Sequence, residues 1–482
     1  MAVTAAAPAA QVSKRVSAKS KKQLREQEEE GAVVSRGADM VRLTERQEKE
    51  LVKRLSTGGR RGSRTLNLVS GSSELQHINP FQTNETMEAG EMARFVAGCV
   101  LLLPLRLVAV TLVLATTSVF MVLSVVGQDI SRPLPEAVQQ FQLFLGTSSS
   151  RLMCAICGIY DIKVKGRKCE PSEAKMFVVA PHSTAMDALV VGAVVGAAGV
   201  AKGELEQTPL VGAAMRAGQT LFVQREGKAS RKAVADAIKE RISRKSPWTR
   251  ALLLFPEGTC TNRTSLISFR RGAFEPGAPV QPVVLSWQYE TFDPAWTAGA
   301  MNRTRIVLRT LTQWKQEVTV TFLPVVEPSA AEQADAALFT NNVRDLMAKE
   351  LGVPTTEFSY NDMFLAKAAA KAKLQPAFVL PFTFVSLEEE ARQISAAITK
   401  EQLFEDTKTL LGRFGKAPGM RSEGRMSDKM FAAVEEKLHA DMHVPDNHTH
   451  VTWPVLLRDG RSDGTVSFHT VLLALLRAKY GA

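Results

Sequence analysis

Residues 107–128 run for 22 positions without a charged side chain. At about 1.5 Å of rise per residue, a helix of that length crosses a hydrocarbon core of about 30 Å. A chain with such a stretch must either hand it to a bilayer or bury it on every side, and the second course demands a core helix apolar all round. The apolar run starts at Phe95 and is broken once, at Pro104-Leu105-Arg106. The arm 95–103 is too short to span alone and Arg106 has the reach to snorkel, so the sequence predicts two membrane-embedded arms. They form either a spanning helix with a short lead-in or a re-entrant hairpin in one leaflet. Orientation is not readable, because Glu85, Glu88, Glu91 and Asp129 flank the run together with Arg94 and Arg132.

Ahead of this anchor, residues 1–75 are rich in Ala, Ser, Lys and Arg and cannot bury enough apolar area to offset ordering entropy. The segment is expected to be a disordered basic tail, with a short helix over 39–55 as its one ordered option. Residues 1–65 hold fifteen Lys/Arg against eight Asp/Glu, so most of the formal charge of +11 sits there. The remainder is only mildly basic and aromatic residues are 6% of the chain, which speaks against a nucleic-acid partner and leaves an anionic membrane surface as the match for the tail. No apolar stretch follows Met1 closely, so no cleaved secretory leader is expected.

From about 175 to 330, short β-rich runs at 176–180, 221–224, 251–255, 280–285 and 318–323 alternate with helical patterns from 185 and over 230–244. Such alternation predicts an α/β sheet with both faces covered. Beyond Pro328 the chain reads as helical to its end. The predicted organisation is a tail over 1–75, an anchor over 76–130, an α/β domain over 131–330 and a helical region over 331–482.

Two strings stand at predicted strand ends. In Val178-Val179-Ala180-Pro181-His182-Ser183-Thr184-Ala185-Met186-Asp187, a buried strand ends at a His, and an Asp opens the next helix. The carboxylate can hold one imidazole nitrogen and leave the other as a base, at the end of the sheet where such folds place their sites. In Phe255-Pro256-Glu257-Gly258-Thr259-Cys260-Thr261-Asn262, another strand ends in a polar turn whose Gly allows close backbone approach. Between them Gly218-Gln219-Thr220-Leu221-Phe222-Val223-Gln224-Arg225 delivers a guanidinium, the group suited to phosphate. A block Pro279-Val280-Gln281-Pro282-Val283 follows.

In this order and spacing the four strings resemble the motifs of the glycerolipid acyltransferase superfamily. Ala180-Pro181-His182-Ser183, Cys260-Thr261-Asn262, Gly272-Ala273-Phe274 and the last block narrow the resemblance to the lysophosphatidylcholine acyltransferase family. So do Ile78-Asn79-Pro80-Phe81, Leu103-Pro104-Leu105-Arg106, Leu323-Pro324-Val325-Val326 and the strings from Asn342 to Val353, so that it covers roughly residues 78–360. The resemblance implies a glycerolipid acyltransferase-type α/β fold, membrane-embedded helices before it and an all-α EF-hand-like region after it. It implies transfer of an acyl group from acyl-CoA, a co-substrate, to the free hydroxyl of a lysophospholipid, with no metal and no other cofactor. His182 is then the base and Asp187 its orienting partner, while Gly218, Phe222, Arg225, Glu257, Gly258, Thr259 and Pro282 bind substrate. The location implied is the endoplasmic reticulum membrane, with the Golgi or lipid droplets as further sites.

Pro181 and Cys260 stand where the wider superfamily commonly has Asn and Arg. One guanidinium fewer suits a phosphodiester head group better than a phosphate monoester. Acylation of lysophosphatidic acid or glycerol 3-phosphate is the alternative within the class. A non-catalytic membrane scaffold is the alternative outside it, against which the intact His182, Asp187 and Glu257 speak.

No His or basic residue accompanies Cys260 in its own motif, so a covalent role is not expected. Cys154 and Cys157 have CxxC spacing but no second pair, and His439, His443, His448 and His450 lack regular ligand spacing. The sequon at Asn262 would put a glycan on the site. Asp459 to Thr470 aligns with an EF-hand loop, having Asp459 at position 1, Asp463 at 5, Gly464 at 6 and Val466 at 8. Arg461 at position 3 and Thr470 at position 12 predict a relic that packs and does not bind calcium tightly.

Overall fold

The computed structural model describes residues 79–81, 83, 87–223, 228–243, 245–289, 292–297, 303–372, 384–414, 425–427, 430–431, 440 and 466–480. The tail, the option of a helix over 39–55, Arg225, the four clustered histidines and Asp459 to Gly464 lie outside these residues.

Among the described residues, seven strands form one mixed sheet: β1 (Ile162–Lys165), β2 (Met176–Ala180), β3 (Ala198–Lys202), β4 (Leu221–Val223), β5 (Leu252–Leu254), β6 (Gln281–Gln288) and β7 (Glu317–Phe322). Their spatial order is β1-β7-β6-β2-β5-β3-β4. β6, β2, β5, β3 and β4 run parallel, while β7 is antiparallel to β6 and carries β1 parallel to itself. β2 lies in the middle, and all five of its side chains are buried, as a strand with both faces covered requires. Met176, Val178 and Ala180 face one core layer with Ile238, Phe274, Phe339 and Val343. Phe177 and Val179 face the other with Val190, Val191 and Phe322.

The five strands anticipated from the sequence are present, and β1 and β3 are additions. β1 is an edge strand of sequence Ile-Lys-Val-Lys with a largely exposed face, and β3 is built from Ala and Gly around one Val, so neither carries a strong β signal. The apolar run around 190–200 is not one segment. It divides at Gly196, whose φ of +65° ends the helix α4 (Met186–Val194) and starts β3.

Before the sheet come α1 (Ala89–Leu101), α2 (Leu103–Leu123) and α3 (Glu136–Ile156). α2 is the one helix among the described residues long and apolar enough to cross a membrane, by length and composition. Pro104 does not break it, since it sits in the first turn where the missing N–H had no helical partner to lose. The break falls at Leu102. Arg106 also differs from expectation: it does not snorkel. Its guanidinium is buried, with Nη1 donating to the carbonyls of Leu311 at 2.8 Å and Gln313 at 2.6 Å, and so fastens the start of α2 to the turn before β7.

After the sheet, helices Tyr360–Lys371, Phe384–Ile394, Lys400–Phe414 and Phe468–Tyr480 share a core around Leu365, Leu410, Phe431, Phe468 and Leu472. Phe81 and Ile267 enter the same core, which seats this region on the α/β domain. The region is not wholly helical: β8 (Arg425–Met426) pairs antiparallel with β9 (Val466–Ser467). Cys154 and Cys157 are buried at the end of α3, where desolvation pushes their thiols up to about 12 and about 11, the behaviour of packed thiols. Among the described residues no cluster of His, Cys, Asp and Glu could hold a metal ion.

Candidate active site

β2 delivers Pro181 and His182 at its C-terminal end, and α4 carries Asp187 in its first turn. His182 Nδ1 lies 3.0 Å from Asp187 Oδ2. That oxygen also accepts from the backbone N–H of Ser183 at 2.6 Å and of Thr184 at 2.9 Å. Its twin, Oδ1, accepts from Trp287 Nε1 at 2.7 Å. Asp187 has no exposed surface, so these four donors are what keeps a carboxylate tolerable there.

His182 is fixed from three more directions. Its N–H donates to Glu257 Oε2 at 2.6 Å, its carbonyl accepts from Thr261 N at 2.8 Å, and its ring stacks on Phe255 at 4.2 Å between centroids. The turn after β5 thus clamps the turn after β2, which is the physical meaning of two distant strings occurring together. Burial pulls the imidazole pKa down, but the neighbouring Cys260 thiol and the Asp187 carboxylate outweigh it and raise the pKa well above the usual 6.5. Cys260 therefore does have a histidine partner, contributed by β2 and not by its own motif.

Glu257 is wholly buried, and desolvation pushes its pKa up to about 7. Its carboxylate Oε2 holds the backbone of His182, which gives Glu257 a positioning contact within the site. At Gly258 the φ of +68° demands glycine, and an added Cβ would meet Arg270 Nε at 2.7 Å. Arg270 lies beside this turn, its guanidinium over the Tyr360 ring at 4.3 Å. Thr259 is buried in the same turn.

Among the described residues, the other predicted ones, Pro282, Phe222 and Gly218, are not brought to this site. Pro282 pairs with Val178, near the start of β6, so it stands roughly 13 Å of strand rise behind His182. Phe222 is on the outer strand β4, separated from β2 by two strands, or roughly 14 Å between strand axes. Gly218 caps the helix α5 (Val211–Ala217) ahead of β4, at the end of the parallel strands away from His182 by roughly 20 Å. Order along the chain suggested one site, whereas strand register distributes these residues over both ends and one edge of the sheet.

Sequence reasoning missed the far end of β6 and the loop beyond it. Trp287 and Tyr289 stack at 5.9 Å, and Arg263 lies 4.8 Å from the Tyr289 ring while its Nη2 donates to Asp293 Oδ2 at 2.6 Å. Burial opposes the Arg263 charge, but Tyr289, Asp293 and Asp187 hold its pKa above the usual arginine range. The one available signal was a buried Trp in a strand parallel to β2, since a buried indole N–H needs an acceptor. Asn262, the sequon residue, is engaged: its Nδ2 donates to the Asn79 carbonyl at 2.9 Å and its backbone N–H to the Pro80 carbonyl at 2.8 Å.

A base held by a buried carboxylate at a strand end is a device common to several reaction classes, and comparison with known proteins selects among them. Residues 161–286 match the Acyltransferase family. This range holds β1 to β5, most of β6, and His182, Asp187 and Glu257, and it ends one residue before Trp287. The lysophosphatidylcholine acyltransferase of Drosophila melanogaster is 36% identical over 305 residues, covering 62% of this chain and 56% of that protein. Lysophosphatidylcholine acyltransferase 1 of Homo sapiens is 33% identical over 366 residues, covering 76% of this chain and 66% of that protein. Lysophosphatidylcholine acyltransferase 2 of Rattus norvegicus is 36% identical over 315 residues, covering 64% and 57%. The chain thus spans somewhat more than half the length of these relatives. The solved 1-acyl-sn-glycerophosphate (LPA) acyltransferase of Thermotoga maritima superposes with a TM-score of 0.38 at 18% identity, over 54% of this chain and 96% of that one, a likeness too slight to argue from.

Proposed function

We propose that the chain transfers an acyl group from acyl-CoA to the free hydroxyl of a lysophospholipid, with lysophosphatidylcholine as the principal acceptor. The observation that carries this reading is the His182–Asp187 pair at the end of the central strand of an acyltransferase domain. In its neutral form His182 removes the hydroxyl proton through Nε2 as the oxygen attacks the thioester carbonyl. Asp187 holds the opposite nitrogen and stabilises the imidazolium. The tetrahedral adduct then expels the CoA thiolate with its bonding electron pair, and the imidazolium returns the proton to sulfur. A thiol of pKa about 8.5 leaves readily, so the step calls for no metal and no cofactor beyond acyl-CoA. Arg225 is assigned the lipid phosphate, a role resting on the sequence resemblance.

α2 is assigned to the bilayer, that of the endoplasmic reticulum by the same resemblance. Leu105, Val108, Leu112 and Phe120 on its surface are each more than half exposed, a contiguous apolar surface that water would penalise. The C-terminal region is read as a relic EF-hand pair. In support, β9 contains Val466, two residues after Gly464, and pairs with Met426, two residues after Gly424.

The test is a microsomal assay of the chain and its His182→Ala variant with labelled acyl-CoA and a panel of lysolipids. The expected result is acylation of lysophosphatidylcholine that falls at least about 100-fold in the variant, as loss of a general base implies. Acylation of only lysophosphatidic acid or glycerol 3-phosphate would move the chain to the alternative substrate class. Absence of any acylation would favour the scaffold.

A further inference from the structure

A cavity of about 260 Å³ lies between the second half of α2, the middle of α3 and the N-terminal ends of β3 and β4. It is at the opposite end of the parallel strands from His182 and shares no residue with the catalytic turns. Its floor holds Arg250, the residue before Ala251 and β5. The hydrogen-bond partners of Arg250 among the described residues are both neutral: Nη1 donates to Gln142 Oε1 at 3.1 Å and to the Gly218 carbonyl at 3.3 Å. Among the described residues no carboxylate pairs with it. Burial pulls its pKa down and no acid offsets that. Arg241 stands close enough to add repulsion. A desolvated guanidinium without a counter-charge is costly, and an anion in the adjoining cavity relieves the cost.

The walls favour a lipid as the source of that anion. On one side Leu114, Ser118 and Met121 belong to the helix that the proposed function assigns to the bilayer. On the other, Leu143 and Thr147 line the cavity while Phe141 and Phe144 of the same helix are exposed. Two apolar surfaces therefore flank a pocket of mixed lining, with Ser118, Gln142, Thr147 and Ser150 among its polar side chains and a cation at its base, an arrangement fitted to a head group inside and acyl chains outside. The volume agrees, being just below the range of roughly 300–1,000 Å³ typical of sites that enclose a whole drug-sized ligand.

We propose that this cavity is a second lipid site, separate from the catalytic end, which takes the phosphate of an anionic membrane phospholipid on Arg250. The site rests on the membrane placement of α2 and not on the acyl-transfer reading, so the two fail independently.

The experiment is native mass spectrometry of the full chain in a neutral detergent, titrated with phosphatidylglycerol, with phosphatidylcholine, or with inorganic phosphate. Wild type is expected to retain phosphatidylglycerol at least ten-fold more tightly than phosphatidylcholine. Arg250→Gln should abolish that preference. Gly146→Leu is the second variant, because a Cβ at Gly146 meets nothing within 4 Å and the larger side chain extends into the cavity from a helix surface. It should lower phosphatidylglycerol retention at least ten-fold while leaving Arg250 in place and the helix favoured. Equal retention of the two lipids by wild type, or unchanged preference in both folded variants, would overturn the site. Inorganic phosphate displacing phosphatidylglycerol at equal concentration would overturn its assignment to a lipid. Thermal unfolding of each variant without lipid identifies a merely misfolded protein.

Discussion

Replacing Asp187 with Asn gives the most demanding check on the site, because the structure assigns that carboxylate four donors and an amide cannot serve them. Asn has one acceptor oxygen. If that oxygen takes the place of Oδ2, between His182, Ser183 and Thr184, the amide NH₂ faces the Trp287 Nε1–H, a donor against a donor. If it flips, the NH₂ faces the other three. The better orientation leaves one buried donor unsatisfied, a cost of about 1–3 kcal/mol. Asp187→Asn is therefore expected to unfold at lower denaturant by that amount. Adding Trp287→Phe should restore part of it, although Trp287→Phe alone destabilises, since it strips a donor from a buried charge. That reversal of sign across the double-mutant cycle is specific to the proposed geometry. Activity should behave differently from stability. Loss of the carboxylate removes the group that orients and stabilises the imidazolium, so kcat is expected to fall by about 10²–10⁴ and the double variant should not recover it. The acidic limb also moves. With Asp187 present, His182 titrates well above 6.5, so wild-type activity rises with pH through a value above that of an ordinary histidine. With Asn one of the two raising groups is gone while Cys260 remains, burial still opposes protonation, and the residual activity should rise at lower pH than in the wild type. Calorimetry or chaotrope unfolding together with pH profiles of kcat reads all three effects. A variant with wild-type stability, no sign reversal and more than a tenth of the wild-type kcat would refute the arrangement.

Glu257 carries a second pH signature. Its folded pKa of about 7 lies above the unfolded 4.5, so between these values the folded state keeps a proton that the unfolded state has lost, and stability falls as pH rises. The Glu257→Gln variant should lack about 3 kcal/mol of that fall, measured by unfolding at pH 5 and pH 8; an identical pH dependence in the two proteins would contradict the burial of this carboxyl. Cys260→Ala should keep kcat within about tenfold, as direct transfer requires, and should move the acidic limb down because the thiol helps to raise His182. Complete loss of activity, with a thioester-linked acyl adduct on the wild type by intact mass, would instead make Cys260 the acyl carrier. Activity should be equal in excess chelator and in millimolar calcium, because Thr470, in the first turn of the last helix, cannot supply the bidentate carboxylate of position 12. A several-fold response lost on Asp459→Ala would show that the loop still binds the ion.

What the sequence determined by itself is local. Met176 to Ala180 could only be a strand buried on both faces, and its end at Pro181-His182 followed from the turn residues and the helix beginning beyond them. The Phe-Pro-Glu-Gly turn was legible for the same reason, as was a helix of spanning length near residue 107. What tertiary structure decided is everything that depends on register and on partners far along the chain. Trp287 meets Asp187 because β6 lies beside β2 in parallel and outruns it, a relation between residues 100 apart. Pro282, in the same strand, is excluded from the site by the same register. Gly218 precedes its strand where His182 follows one, so parallel pairing sends the two to opposite ends of the sheet. Arg106 looked like a residue made for the membrane surface, and carbonyls at 311 and 313 claimed it instead. The physical reason is common to all four: a strand's propensity is written in its own residues, but its neighbours and offset are set by which faces bury the most apolar surface and leave the fewest polar groups unpaired, and that sum is taken over the whole fold.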